Sequence, residues 1–377
     1  MTHWQHHPIP QAAPWFNRSL HRFNSRFIKH PADTFIMSCI YVQGICIPCL
    51  FLLAFWYTTK HGFSPLMCFL YHIIRIGPYF QQFAYYYVLC HKEGHTRTGF
   101  YTEPYNSFAI FRHVFNWWIA LFFGVMPAAF AFGHSYNHHR YNNGPLDVVS
   151  TGDKPRDSFV NLVAYLPRWT LYSLNITSIA QFVREGSTLV ALRMLAGCVY
   201  WWGWYTLWAS QDLAFAMGFV LYPFGENVLL LAAVNWAWHA FEDPDNPANE
   251  YVGSITIFGG RFNVLNEDSH VVHHQYPGAH WTEHPTKVTH HWDEYVANRA
   301  SCFQDTHAFE LFVLCMTANY GALADKYVDL HGARSGKPLT RGEKVELLIA
   351  RLQACSWGPR ATARERSCAE TESKKKN

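Results

Sequence analysis

The stretch LAFAMGFVLYPFGENVLLLAAVNWAWH covers residues 213–239. Its mostly apolar part, 213–238, exceeds the roughly 20 residues that a helix needs to cross a bilayer. Asn235 and His239 stand at the end of this run, where a spanning helix would reach water. The stretch therefore predicts a membrane helix with candidate metal-ligating side chains at one end.

Three further runs are long enough to cross a bilayer, and they cover residues 35–57, 63–89 and 189–210. Short connections join the four runs in pairs, which predicts two helical hairpins. Basic residues near both termini favour a cytosolic location for both. We therefore expect an all-α integral membrane protein with four transmembrane helices as two hairpins. Interfacial helices are expected at 108–132 and 162–179, and a cytosolic helical cap would carry the metal site.

The composition supports one membrane-embedded unit. Half of the 377 residues are apolar and 15% are charged, compared with roughly 25% charged in soluble domains. We expect a cytosolic segment at 1–34, a membrane domain at 35–331 and a basic, mobile tail at 332–377. No cleavable signal peptide is expected. The net charge of +3 and the lack of a basic stripe argue against a nucleic-acid partner.

Histidines are clustered along the chain. HKEGH contains His91 and His95, HSYNHH contains His134, His138 and His139, and HVVHH contains His270, His273 and His274. Histidines three or four apart share one face of a helix, so each cluster can direct its imidazoles to one point. Imidazole binds Zn, Cu, Fe and Ni. With His239 there are more imidazoles than the four positions of a zinc site, which favours two metal ions.

The order HxxxH, HxxxHH and HxxHH, interleaved with paired apolar runs, resembles the membrane fatty-acid desaturase and hydroxylase superfamily over residues 35–295. NWAWH is similar to the NxxxH element of stearoyl-CoA desaturase. The second cluster has three residues between His134 and His138, where that enzyme has two, so the acyl carrier stays open. The resemblance implies these iron ligands: His91, His95, His134, His138, His139, His239, His270, His273, His274 and, through water, Asn235.

The resemblance also implies a di-iron centre, O2 as co-substrate and two electrons from an external donor. The substrate would be the hydrocarbon chain of a lipid. Loss of two hydrogens would give an alkene and gain of oxygen an alcohol, so a desaturase is the first hypothesis and a hydroxylase the alternative. A non-catalytic membrane metal-binding protein is the third, although metal transport would favour ionisable groups at the bilayer midplane.

Carboxylates accompany every histidine cluster, and ligating histidines commonly donate their second N–H to such groups. Asp147 and Asp268 are the preferred candidates. Asn266 and Glu267 compete with Asn235 as the extra ligand. The other acids beside the clusters are Glu93, Glu242 and Asp243, and the histidines expected outside the metal centre are His280, His284, His290 and His291.

Two ionisable residues, Arg75 and Glu226, lie inside apolar runs, where such groups are costly and often functional. They would line a substrate tunnel, contact a head group, snorkel toward the interface, or pair locally. The chain has no HPGG-type haem-binding segment, so cytochrome b5 or a ferredoxin is expected as a separate electron donor. The C-terminal residues 374–377, KKKN, resemble a dilysine retrieval signal and predict the endoplasmic reticulum membrane.

Overall fold

The computed structural model describes residues 19, 21–96, 99–103, 105, 112–260 and 262–359. The expected dilysine signal, most of the expected N-terminal segment and the start of the expected interfacial helix at 108–132 lie outside the described residues. The chain divides into two compact units. The first unit consists of Pro8–Ser135 and Leu171–Val228, and the second contains Tyr136–Thr170 and Leu229–Asn377.

The described part of the chain is mostly helical. In chain order its helices are α1 (Pro31–His61), α2 (Pro65–Ile76), α3 (Gln81–His95), α4 (Phe115–Ile119 continued by Ala120–Phe123), α5 (Ala129–His138 continued by His139–Tyr141), α6 (Phe159–Ser173), α7 (Ile176–Arg184), α8 (Thr188–Gln211), α9 (Leu213–Trp238), α10 (Glu250–Gly253), α11 (His270–Gln275), α12 (His284–His290), α13 (Trp292–Ala297), α14 (Ala308–Met316), α15 (Tyr320–Lys326), α16 (Leu330–Ser335) and α17 (Arg341–Gln353). The strands β1 (Thr256–Phe258) and β2 (Cys302–Gln304) pair in parallel, with Ile257 opposite Phe303.

Two helices of the described chain, α1 and α9, are long and apolar enough to cross a membrane. The expected run 63–89 is divided between α2 and α3 because Gly77, Tyr79 and Phe80 all have positive φ angles. The expected run 189–210 forms the single helix α8. The prediction of a membrane helical protein is thus supported in its coarse form, and the four-span topology stays a prediction.

Short polar caps make the turns of both expected hairpins. Ser64 Oγ accepts a hydrogen bond from Met67 N at 3.3 Å and begins α2. Asp212 Oδ1 accepts one from Phe215 N at 2.7 Å and begins α9 directly after α8. Side-chain oxygens at these positions satisfy amides that lack a partner in the first turn of a helix. The turns that were expected from sequence spacing therefore have a local chemical cause.

The core of the first unit is aromatic. Phe51 on α1 is completely buried, and its ring lies 5.4 Å from Phe122, 5.0 Å from Trp208 and 4.9 Å from Phe215. Edge-to-face contacts of this kind stabilise the packing beyond the area that they bury. The described part of 108–132 joins this core through α4 and is interrupted before α5 begins.

The second unit has an apolar core of its own around β1 and β2. α17 packs Leu348 and Leu352 into it, both fully buried. α17 begins at a reciprocal cap between Thr340 and Glu343, a motif that satisfies two backbone amides at once. Part of the segment expected to be a mobile tail, 332–377, is therefore helical and packs against this core.

Candidate metal centre

The first histidine group, His91, His95 and His134, lies in the first unit. α3 places His91 and His95 one turn apart, with their Nε2 atoms 3.1 Å from each other. α5 brings the His134 ring to 4.4 Å from that of His91, centroid to centroid. Each of the three offers a ring nitrogen, and these nitrogens lie within 4.8 Å of one another.

A backbone contact sets the approach of α5 to α3. A Cβ atom added to Gly94 would lie 2.9 Å from the carbonyl carbon of Phe130 on α5. A real Cβ atom cannot occupy that position without moving the backbone. Gly94 in HKEGH therefore allows the close approach that brings His134 to the first histidine group.

Ser135 orients His95 in this group. Its Oγ donates to the Phe130 carbonyl oxygen at 3.0 Å and lies 3.2 Å from His95 Nδ1. A serine hydroxyl both donates and accepts, so Ser135 Oγ can hold His95 Nδ1 in either tautomer of the ring. In the tautomer with the proton on Nδ1, the Nε2 lone pair of His95 faces His91.

The second histidine group, His138, His239, His270 and His274, lies in the second unit. His239 Nε2 is 3.2 Å from His138 Nε2 and 3.4 Å from His270 Nε2, and His270 Nε2 is 3.2 Å from His274 Nε2. All four residues are buried. They come from α5, the end of α9 and α11. Histidines that are far apart in the sequence thus place their Nε2 atoms close together.

The remaining ring nitrogens of His138 and His239 are held by oxygens that can only accept. Asp147 Oδ2 lies 2.7 Å from His138 Nδ1, and the Gly253 carbonyl oxygen lies 3.0 Å from His239 Nδ1. Each Nδ1 therefore carries the proton in a neutral ring. Two Nε2 lone pairs then face each other at 3.2 Å, an arrangement that a cation stabilises.

This donor set fits a metal ion. Two imidazole nitrogens that bind one ion, each about 2.0–2.1 Å from it, lie roughly 3–3.4 Å apart, as the Nε2 atoms of this group do. Burial and the neighbouring His138 lower the pKa of His239 to about 3, so the ring is neutral and available as a ligand at physiological pH.

His139 and His273 form a further contact in the second unit. Their ring centroids are 4.6 Å apart, and that of His139 is 4.5 Å from His274. The His138 ring centroid is 4.9 Å from that of His274 as well, so the consecutive pair His138 and His139 shares this partner. All nine histidines expected as ligands accordingly contact at least one other expected ligand within their own unit.

A comparison with protein-family models shows to which family the chain belongs. A family model described as fatty acid desaturase matches residues 63–306, which is more than half of the chain and includes all nine of these histidines. The chain belongs to the fatty acid desaturase family. Members are oxidoreductases, so the predicted enzyme class is confirmed. Neither the curated proteins nor the solved structures contain a significant match to the chain.

In this desaturase-family chain the carboxylate of Glu93 joins α3 to α4. It accepts hydrogen bonds from Asn116 N at 2.8 Å, Asn116 Nδ2 at 3.0 Å and Phe115 N at 3.3 Å. Burial raises the pKa of Glu93 to about 8 despite these bonds. Glu93 thus fixes the helix that carries His91 and His95 through the neighbouring helix.

Asn235 ties the end of α9 to the loop that contains Asp147. Its Nδ2 donates to Tyr165 Oη at 3.0 Å and to the Val149 carbonyl oxygen at 3.3 Å. Tyr165 Oη donates to the same carbonyl at 2.9 Å. The described contacts give Asn235 a structural role, and the water-mediated ligation that the resemblance implies stays a prediction.

The two preferred carboxylates differ in their surroundings. Asp147 contacts His138 directly, whereas Asp268 Oδ2 is buried and has no hydrogen-bond partner among the described residues. Burial, and after it the neighbouring Glu267, raise the pKa of Asp268 to about 8. The expected role of Asp268 beside a ligand stays a prediction.

The later histidines occupy different environments. His284 is fully buried, with its Nδ1 3.2 Å from the Asn266 carbonyl oxygen and its ring centroid 6.3 Å from that of His273. His290 is exposed, and His291 Nε2 lies 2.7 Å from Tyr276 Oη. None of the three belongs to either histidine group.

Sequence reasoning missed Ser135 and the carbonyl of Gly253 as partners of ligand histidines. Ser135 is adjacent to His134, so its contact with the first histidine group had a local signal. Gly253 acts through its backbone, which no residue type reveals. Asn143 and Thr151 were missed as well, and their contacts depend on the fold of the loop around Asp147.

Proposed function

We propose that the protein is an O2-dependent di-iron fatty-acid desaturase that introduces a double bond into a lipid hydrocarbon chain. The observation that carries the proposal is the pair of histidine groups, partly buried in the first unit and buried in the second, in which Nδ1 atoms are held by oxygens and Nε2 atoms converge. Imidazole suits iron, and the family supplies the reaction class.

The proposed ligands follow the histidine clusters. His91, His95 and His134 would serve one iron, and His138, His239 and His274 another. The remaining expected ligands, His139, His270 and His273, contact these groups within the second unit. Bound iron would supply the oxidation of an unactivated CH2 group by O2 with two external electrons.

The chain's own residues orient the ligand histidines and exclude water from the metal site. Asp147 and Gly253 fix the tautomers of His138 and His239, so their Nε2 atoms stay available to the metal. Complete burial of His239 and His273 would keep bulk water away from the metal at these two side chains. These features suit a reaction at an unreactive hydrocarbon in a dry site.

Exposed apolar side chains on the first unit support a membrane setting. Leu53 and Trp56 on α1, Phe69 on α2 and Leu192 and Val199 on α8 are each about half exposed or more. Soluble proteins rarely show such extensive apolar surface. We propose that these helices contact lipid in the expected two-hairpin topology, with both termini cytosolic and retention in the endoplasmic reticulum. Cysteine accessibility at both hairpin turns would test the topology.

Product analysis tests the reaction. Yeast would express the wild type, the His273→Ala/His274→Ala variant or the control His290→Ala, and total lipids would be compared by mass spectrometry. A new species that lacks two hydrogens, present with the wild type and control but absent with the double variant, is the expected result. A species that gains oxygen would replace the desaturase with a hydroxylase. A purified wild type that holds no iron would refute both.

The electron donor is proposed to be a separate cytochrome b5 or ferredoxin. Titration of each reduced donor with the iron-loaded protein under anaerobic conditions would identify it through donor oxidation. Zinc replacement provides the control, because a zinc-loaded protein cannot accept electrons. Product formation that survives zinc replacement would contradict the redox function.

A further inference from the structure

A short C-terminal segment reaches the surroundings of His138. We name residues 354–358, which follow α17, the C-terminal strap. Cys355 and Ser356 within it are buried, at 3% and 5% exposure. The end of α17 is held to the same unit by long-range bonds, since the Arg351 carbonyl oxygen accepts from Glu242 N at 3.0 Å and from Arg156 Nη2 at 2.9 Å. These bonds satisfy carbonyls that a helix end leaves without partners.

Ser356 is bound to a buried carboxylate. Its backbone N–H donates to Glu242 Oε2 at 2.9 Å and its hydroxyl to Glu242 Oε1 at 3.1 Å. The same Oε1 accepts from Asn143 Nδ2 at 3.1 Å. A buried carboxylate depends on such donors, so Glu242 links the position of the strap to that of Asn143.

Trp357 reaches Asn143 by a second route. Its Nε1–H donates to Ser150 Oγ at 2.9 Å, and its ring lies 5.1 Å from the Arg168 guanidinium. Ser150 Oγ in turn donates to the Asn143 carbonyl oxygen. Both strap residues therefore hold the same asparagine, which has a positive φ of 61°.

Asn143 continues the chain of contacts to the metal site. Its backbone N–H donates to Asp147 Oδ2 at 2.9 Å, and this same oxygen accepts from His138 Nδ1 at 2.7 Å. The side chain of Asn143 also accepts from Thr151 N at 2.7 Å, and Thr151 Oγ1 lies 3.1 Å from the His239 carbonyl oxygen. The loop 143–151 thus lies between the strap and two histidines of the second group.

Glycine at position 152 makes room for the strap. A Cβ atom there would lie 2.4 Å from Ser356 Oγ and 2.6 Å from Glu242 Oε1. A larger residue would force the side chain of Ser356 or Glu242 to move. This close approach is a second observation, independent of the hydrogen bonds, that the loop and the strap are fitted to each other.

We propose that Ser356 and Trp357 are positioning residues of the metal centre, which orient His138 through Asn143 and Asp147. The inference rests on the proposed function, in which His138 is an iron ligand. In this proposal the strap acts on the metal only through Asn143 and Asp147. It fixes the acceptor that sets the tautomer and direction of the His138 ring.

The test compares full-length iron-loaded wild type with Ser356→Ala, Trp357→Phe and Gly152→Ala. Trp357→Phe keeps an aromatic ring beside Arg168 and removes the N–H donor together with one ring of the indole. The control is Ser335→Ala, whose hydroxyl donates to the Gly332 carbonyl at 3.4 Å and whose residue belongs to the same C-terminal region. The readouts are the rate of iron release to a chelator, the Mössbauer spectrum and the apparent unfolding temperature.

We expect iron release to be about tenfold faster in Ser356→Ala, Trp357→Phe and Gly152→Ala, at the lower end of the 10–100-fold effects of residues that orient ligands. Their Mössbauer spectra should change, while the control matches the wild type. Variants with a lower unfolding temperature but wild-type release rates and spectra would show a structural role only and overturn the inference. A wild type without iron would instead overturn the proposed function, and the inference with it.

Discussion

His138 is the histidine whose orientation depends most clearly on a charged partner. Asp147 accepts from its Nδ1, from Asn143 N and from Val149 N, the last at 2.9 Å. An asparagine at 147 would turn an N–H toward at least one of these donors. We expect Asp147→Asn to lower iron affinity about 10–100-fold, measured as iron per protein after dialysis against a chelator.

A matched acid in the same unit provides the control for that substitution. Asp157 accepts from Tyr320 Oη at 2.8 Å and from Gln353 Nε2 at 3.3 Å. Asp157→Asn should retain the iron content of the wild type. Equal iron loss in the two variants would mean that a general loss of stability, rather than the contact with His138, explains the result.

Arg75 and Glu226, the two ionisable residues inside apolar runs, form an ion pair. Arg75 Nη2 donates to both carboxylate oxygens of Glu226 at 2.9 Å, and the guanidinium lies 5.4 Å from the Phe123 ring. Among the roles expected from the sequence for these two residues, the structure shows that they pair with each other. Losing one partner of a buried pair costs about 3–5 kcal/mol because the other charge remains buried.

Arg75→Leu and Glu226→Leu should therefore each lower the apparent unfolding temperature in detergent micelles. The double variant should recover much of the loss, since no charge then remains buried without its partner. If the double variant is as unstable as the single variants, pairing does not explain why these residues lie in an apolar run.

At the scale of elements, the first histidine group depends on the close approach of α5 to α3. A Cβ atom on Gly94 would collide with the Phe130 backbone. We therefore expect Gly94→Ala to separate the helices and to displace His134 from His91 and His95. The measurement is the iron content of the purified variant, which should fall below that of the wild type.

Gly203 on α8 is the control for this substitution, since a Cβ atom there would meet nothing within 4 Å. Gly203→Ala should keep the iron of the wild type and gain slightly in stability, because alanine favours a helix by up to about 1 kcal/mol over glycine. Normal iron content in Gly94→Ala would show that α3 and α5 need not approach so closely.

At the scale of the whole molecule, Asp153 makes the free energy of unfolding depend on pH. Burial opposes its ionisation, but hydrogen bonds from Arg168 at 2.7 and 2.8 Å and from Lys154 outweigh burial and lower the pKa of Asp153 below its ordinary value of 3.8. The folded state therefore binds this proton less tightly than the unfolded state does. The resulting stability is present above about pH 4 and is lost as the pH falls through the lowered pKa.

We expect Asp153→Asn to cost on the order of 2 kcal/mol at neutral pH, seen as a lower apparent unfolding temperature in detergent. The difference from the wild type should shrink as the pH falls below about 4, because the wild-type carboxylate then takes up a proton too. A difference that stays constant down to pH 2 would show that charge is not its cause.

The sequence by itself determined what local spacing and composition encode. His91 and His95 are four residues apart on a helix, so their convergence follows from helical geometry. The apolar runs that became α1, α8 and α9 were identified because burial in lipid or in a core requires such runs. The clustered histidines were sufficient to identify the family, which the match over residues 63–306 confirms.

Only the tertiary structure decided which histidines of HSYNHH share a group, because it brought His134 to His91 and His138 to His239. It alone paired Arg75 with Glu226, 151 residues away, and brought Ser356 to Glu242, 114 residues away. Local periodicity carries no information on such contacts, since they depend on how helices that are distant in sequence pack together. The surroundings of the ligand histidines therefore required the structure, whereas the histidines themselves could be read from the sequence.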